Sequence, residues 1–286
     1  MYPIIGALVV IASVLGGFMM VGGKLLTLWH LNEIIVICGA ALGAYVIATP
    51  PKVMKAALAG TVALVKGPKY QRVDYVELLK LIYELLQKMR REGMMAIEDH
   101  IEHPAESAIF QKYPKILADH HILDFITDCL RLIVGGSMTP HELESLLEYE
   151  LETHHHEALG PSQSVQKVAD ALPGFGIVAA VLGIINTMSI VGSAAPAEIG
   201  QKVASALVGT FLGIFLAYGY VGPVASAMEK RAEEEGKAFE VVKMALVASL
   251  RGYAPSVAIE FARKLLFSDV RPSFQDLEAD LKAAKG

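Results

Sequence analysis

Three consecutive histidines, His154-His155-His156, form the densest run of metal-ligating side chains in this 286-residue sequence. A zinc-dependent hydrolase needs two imidazoles four residues apart on one helix face, with a glutamate beside the first. The histidine run lacks that HExxH spacing and reads as a polar helix end. Gly22-Gly23-Lys24 has the ingredients of a phosphate-cradling loop, but Leu25 stands where a Ser or Thr is required. No GxSxG occurs, and the apolar segments hold neither a serine–histidine set nor paired aspartates for intramembrane proteolysis. These residues point away from an enzyme.

What remains is one hydroxyl and two prolines. Thr210 lies in an uncharged run beside Ser205, Gly209, Gly213 and Ala217, which recur every four residues. Such a stripe of small side chains lets a second helix approach closely. Ala179, Gly183 and Thr187 make a similar stripe earlier in the chain. The stripes can pack against each other within one chain or against other chains. The Thr210 hydroxyl either bonds back to its own helix, as membrane threonines usually do, or offers an oxygen to a hydrated ion. Pro173 and Pro223 stand at the entry and exit of the two uncharged runs, as ordinary helix-end prolines or as a matched pair of helix perturbations.

Four apolar segments must position these residues. They are about Pro3–Gly23, Ile34–Thr49, Leu172–Gly192 and Val203–Ala227, each near the roughly 20 residues a bilayer crossing needs. Hydrophobic residues make up 53% of the chain and charged ones only 19%, which agrees with a membrane protein. The first segment lacks a basic flank and is too long for a signal peptide's core, so it reads as a retained helix. A net charge of −5 argues against general nucleic-acid binding. Cys38 and Cys129 read as unpaired thiols. No Asp, Glu, Lys, Arg or His lies within the core of any segment, and Glu33 is expected at a membrane interface. The chain therefore lacks its own mid-membrane carboxylate for proton relay.

Of the 25 lysines and arginines, 13 lie in residues 51–170 and 10 in residues 228–286, leaving only Lys24 and Lys202 in the short connections. Basic residues near the membrane mark the cytoplasmic face. Both charged regions and both termini are thus expected inside, with residues 1–50 and 171–227 as membrane hairpins. The region between is expected to be helical. Apolar residues at 75, 78, 79, 82, 85, 86 and 89 follow one helix face, ended or bent at Gly93. A second helix covers ILADHHILDFITDCLRLIV, and Thr139-Pro140-His141-Glu142 opens a third with a capping box. The fold class is all-α: four transmembrane helices in two hairpins with a helical cytoplasmic domain between them and a helical region after.

The run Ala206-Leu207-x-Gly209-Thr210-Phe211-x-Gly213-Ile214-Phe215, with Pro223 following, resembles the signature of the MotA family of flagellar motor stator proteins. So do LPGFGIVAAV, RREGMMAIEDHIEHP, YPKILADHHILDFI, GYAPSVAIEFARK and RPSF, which spread the resemblance over nearly the whole chain. The resemblance implies a ring, understood as five copies, around two copies of a MotB partner. That partner supplies the membrane aspartate and a peptidoglycan-gripping domain in the periplasm of a bacterial inner-membrane assembly. Pro173 and Pro223 match the prolines that couple ion passage to movement, and Thr210 matches the pore-facing threonine. Ala180 stands where sodium-driven relatives carry a second threonine, which favours protons as the coupling ion and no other cofactor. Arg90 and Glu98 match the charges that engage the rotor protein FliG. The alternatives are a TolQ/ExbB-type energy transducer, which has one segment before its cytoplasmic domain rather than two, and a passive membrane scaffold.

Overall fold

The computed structural model describes residues 2–136 and 138–283. Among the described residues twelve α-helices run in chain order: α1 (Tyr2–Met20), α2 (Leu31–Ala48), α3 (Pro51–Lys66), α4 (Arg72–Glu92), α5 (Glu98–Glu102), α6 (Pro114–Leu117), α7 (His120–Val134), α8 (Pro140–Met188), α9 (Pro196–Leu216), α10 (Gly222–Leu250), α11 (Pro255–Leu265) and α12 (Phe274–Ala283). A π-helical turn, Ala217–Val221, joins α9 to α10. No strand occurs among the described residues. Four helical runs are long and apolar enough to cross a membrane: Pro3–Met20, Leu25–Ala48, Pro140–Met188 and Pro196–Leu250.

The chain divides into two compact units. The first comprises residues 1–67 and 157–231. Its small core joins Ile37 and Ala41 of α2 to Leu172 and Ala179 of α8 and to Ala217. Helix α1 buries almost nothing, and Ile5, Leu8 and Val9 all stay more than half exposed. Each such side chain gains about 1.5–3 kcal/mol on leaving water, so this face belongs in hydrocarbon. Helix α3 also lies in this unit, although the sequence grouped residues 51–66 with the charged region. Arg231 explains its placement. The Nη1 of Arg231 donates to the carbonyl oxygens of Ala63 and Gly67, each at 2.6 Å, and so caps the C-terminal end of α3.

The second unit comprises residues 68–156 and 232–286 and has one apolar core. Helix α4 buries all seven positions of the expected stripe, together with Leu81 and Tyr83. It starts on a capping box: the Gln71 backbone N–H donates to Asp74 Oδ2 at 2.6 Å. It stops at Gly93, whose φ of +93° is open to glycine and strained for other residues. The second expected helix is divided at Asp119, which has extended backbone and leaves α6 and α7 on either side. Its carboxylate accepts from Lys69 Nζ at 2.7 Å and Tyr70 Oη at 2.5 Å, contacts that fix the break. Thr139 and Glu142 exchange capping bonds of 2.8 and 3.3 Å at the start of α8.

Three expectations are corrected. The histidine run is not a helix end but lies inside α8, where the His154 ring packs 4.3 Å from Phe239. The third cytoplasmic helix and the third membrane segment are not separate, because α8 continues for 49 residues through Pro161 and Pro173. Pro173 is therefore an interior proline, and its first-turn reading fails. Residues 284–286 and Met1 lie outside the described residues, so the expected placement of the two chain ends is not addressed by the fold.

Candidate functional site

Helices α8 and α9 pack with backbone nearly against backbone. A methyl group placed on Gly213 would lie 2.6 Å from the Leu172 carbonyl oxygen and 3.0 Å from Gly176 Cα. One on Gly176 would lie 2.9 Å from the Gly209 carbonyl oxygen and 3.4 Å from Thr210 Cα. One on Gly209 would meet Ala179 Cβ at 3.1 Å and the Ala180 nitrogen at 3.3 Å. Gly183 faces Ala206 in the same way, at 2.7 Å. The two small-residue stripes thus pack on each other within one chain. Gly209, Gly213 and Ala217 are all buried in this seam, and Ala180 and Thr210 are brought to one level along it.

The two threonines of the seam behave differently. Thr187 is fully buried and donates back to the Gly183 carbonyl at 2.8 Å. Thr210 is half-buried, and its hydroxyl makes no such bond to any described residue. Its oxygen is therefore open to a ligand.

The prolines flank one end of the seam. Pro173 sits one turn beyond Ala169, whose Cβ is 3.9 Å from a methyl group placed on Gly222, the residue before Pro223. Two donor-less residues thus lie about one turn apart in depth on neighbouring helices. Pro223 has no backbone N–H to offer the Gly219 carbonyl, and a change of bond register accompanies it. The Gly222 N–H donates five residues back to Ala217 in the π turn. Such turns are locally looser than α-helix and recur at functional positions.

Arg90 and Glu98 belong to the second unit, at the end of α4 and the start of α5, on either side of the Gly93 break. Both are exposed, and neither pairs with a described residue. Met94 and Met95 between them are 45% and 64% exposed, which adds apolar area to the same ridge.

Sequence reasoning missed two features of the site. One is the π turn, which has no residue signature of its own. The other is the burial of Glu33, whose carboxylate lies against Gly209. The pairing of His30 and Glu33 one turn apart, at the head of an apolar helix, was the available signal.

Comparison with known proteins places this seam in a family. Residues 4–93 match a model described as Motility protein A N-terminal, which takes in both α1 and α2. Residues 118–241 match the MotA/TolQ/ExbB proton channel family. Motility protein A of Escherichia coli (strain K12) is 44% identical over 285 residues, covering 100% of this chain and 96% of its own length. The chain belongs to the MotA family. Chemotaxis protein LafT of Vibrio parahaemolyticus is 43% identical over 286 residues, with both chains fully covered. Among solved structures, the C. jejuni MotAB structure superposes with a TM-score of 0.76 at 20% identity, covering 96% of this chain and 98% of that one. The flagellar MotAB stator complex of Bacillus subtilis gives 0.73 at 24% identity, covering 95% and 98%. At those identities the superpositions establish a shared fold. The family membership rests on the sequence matches.

Proposed function

We propose that this MotA-family chain is a stator subunit that couples proton flow to rotation of a bacterial flagellum. It works in the inner membrane with a MotB-type partner. Four transmembrane helices form two hairpins, both termini face the cytoplasm, and residues 51–170 and 228–286 supply the charged cytoplasmic regions. Five copies ring two copies of the partner, whose membrane aspartate carries the proton past Thr210. Ala180 leaves that level without a second hydroxyl, which suits a proton rather than a sodium ion. Pro173, Pro223 and the π turn let the inner halves of α8 and α9 shift when the partner's aspartate changes charge, and the ring turns one step around the central pair.

The observation that carries this reading is the open Thr210 hydroxyl in a seam whose other threonine is satisfied. The ridge of Arg90, Met94, Met95 and Glu98 is the surface that engages FliG, with its two free charges setting register and rate of contact. The test is Arg90→Glu in tethered cells that carry this chain as their only stator ring subunit. Torque should fall while membrane abundance and partner pull-down stay normal, and a charge reversal on the rotor should partly restore rotation. Reduced abundance of the variant would instead make Arg90 structural and remove the rotor assignment.

A further inference from the structure

Glu33 stands in the first turn of α2 and keeps only 8% of its surface exposed. Its Oε2 occupies the space over Gly209, where a methyl group would lie 2.7 Å away. Gly209 comes seven residues after Lys202, the last charge on α9, which is about 10 Å along the helix. The next residue is Thr210. No hydrogen bond or ion pair reaches the Glu33 carboxylate from any described residue. An ionisable side chain placed among apolar helices is expensive and is the usual mark of a proton-handling position.

A connection leads outward from it. His30, at the N-cap of α2, has Nε2 3.1 Å from the Thr27 carbonyl oxygen and Nδ1 3.1 Å from Ser205 Oγ. A carbonyl only accepts, so Nε2 carries the ring hydrogen of the neutral imidazole, and Nδ1 accepts from the Ser205 hydroxyl. Ser205 and Gly209 are one turn apart on the same face of α9, about 5–6 Å between side-chain positions. A gap of that size fits one bridging water. Around Glu33, α9 presents Ser205 and Gly209 and α8 presents Ala179 and Ala180, none of them charged. His30 is the other titratable group acting on Glu33 among the described residues.

We infer that His30, Ser205 and Glu33 form an entry relay that delivers protons from the face opposite the cytoplasm to the level of Thr210; this rests on the proton-driven reading above. A proton bound at His30 Nδ1 passes to Ser205 Oγ as the serine's own hydrogen moves through the bridging water to a Glu33 oxygen. Ser205 and the water end as they began, His30 returns to neutral, and Glu33 becomes the neutral acid. Glu33 then releases the proton inward to the partner's carboxylate and is ready for the next. Gly209 is required because any larger residue would push the carboxylate out of the seam.

The experiment reconstitutes this chain with its single-span, aspartate-bearing partner and measures proton uptake into vesicles under an imposed potential. Glu33→Gln keeps the shape and removes the titrating group. It should lower uptake at least about tenfold, with partner pull-down unchanged, while Glu33→Asp keeps part of the rate. Ser205→Ala, which leaves Glu33 in place, should also slow uptake. A second readout is infrared difference spectroscopy of the assembled complex between high and low pH. The protonated-carboxyl band of wild type should lose one component in Glu33→Gln. Uptake within twofold of wild type in both Glu33→Gln and Ser205→Ala, or an unchanged infrared band, would overturn the relay and leave the stator reading intact. Absence of uptake by the wild-type complex would overturn the proton-driven reading itself.

Discussion

Replacing Gly213 by Ala tests whether the α8–α9 seam is as tight as its geometry requires. The new methyl carbon would sit 2.6 Å from the Leu172 carbonyl oxygen and 3.0 Å from Gly176 Cα, where ordinary contact begins near 3.4 Å. Both obstacles are backbone, so no rotamer change relieves them, and the helices must separate by about 0.8 Å, the difference between 3.4 and 2.6 Å. Overpacking of this kind costs about 1–3 kcal/mol. Alanine returns about 0.5–1 kcal/mol through its better helix propensity, so the net loss lies within about 0–2.5 kcal/mol and centres near 1 kcal/mol. Gly43→Ala is the matched control, since a methyl group there meets nothing within 4 Å in the same unit. The assay is thermal unfolding in detergent followed by Trp29, the single tryptophan. Gly213→Ala should melt a few degrees below wild type, Gly43→Ala at or above it, and Gly213→Leu should prevent assembly with the partner altogether. If Gly213→Ala melts with Gly43→Ala, the seam is not close-packed and the reasoning about the small-residue stripes fails.

Pro173→Ala and Pro223→Ala each restore a backbone donor and straighten the inner halves of the pair. Both variants should assemble and reach the motor yet give little torque in tethered cells, and near-normal torque in both would make the prolines ordinary helix features. In the second unit, Arg263 is 7% exposed at its side chain and donates to both Glu260 oxygens at 2.6 Å and to the Pro272 carbonyl at 2.8 Å. The guanidinium holds the Glu260 carboxyl below the usual range, against the opposing effect of burial. A carboxyl depressed in the folded state stabilises fully above its unfolded value, near pH 4.3, and loses that contribution as pH falls through the lower folded value. Glu260→Gln should therefore cost about 1–3 kcal/mol at pH 7, and the gap to wild type in urea or thermal unfolding should shrink below about pH 4. An equal gap at both pH values would contradict the ion-pair account.

The parts of the fold that short-range pattern controls were legible in the sequence. The stripe at Tyr75 through Met89 is buried as its 3.6-residue spacing requires, Gly93 ends α4 with a positive φ, and Thr139–Glu142 caps α8. The small residues at 209 and 213 announced a close helix contact and left open whether the stripe at 179–187 or another chain met it; Ala179 and Gly183, with Gly176, provide the contact. Helix boundaries at prolines were misplaced because a proline removes one bond without forcing an end, and α8 runs on through two of them. The π turn depends on which carbonyl the Gly222 N–H finds, a choice no local pattern encodes. The burial of Glu33 was not legible because its surroundings come from far along the chain. The contact of His30 with Ser205 joins positions 175 residues apart, and the space for the carboxylate exists only because residue 209 is glycine.

The central claim is that this chain forms the wall of a proton path that is complete only with a partner's membrane carboxylate. Apart from the proposed Glu33 relay, the stretch of chain from Thr210 to Pro223 carries no ionisable side chain except the phenolic groups of Tyr218 and Tyr220. The most direct measurement is proton uptake into vesicles that hold the purified chain, with and without the aspartate-bearing partner, under the same imposed potential. The account predicts uptake no greater than empty vesicles for the chain alone and clear uptake for the pair. Robust uptake by the chain alone would place the essential carboxylate within these helices and contradict the account.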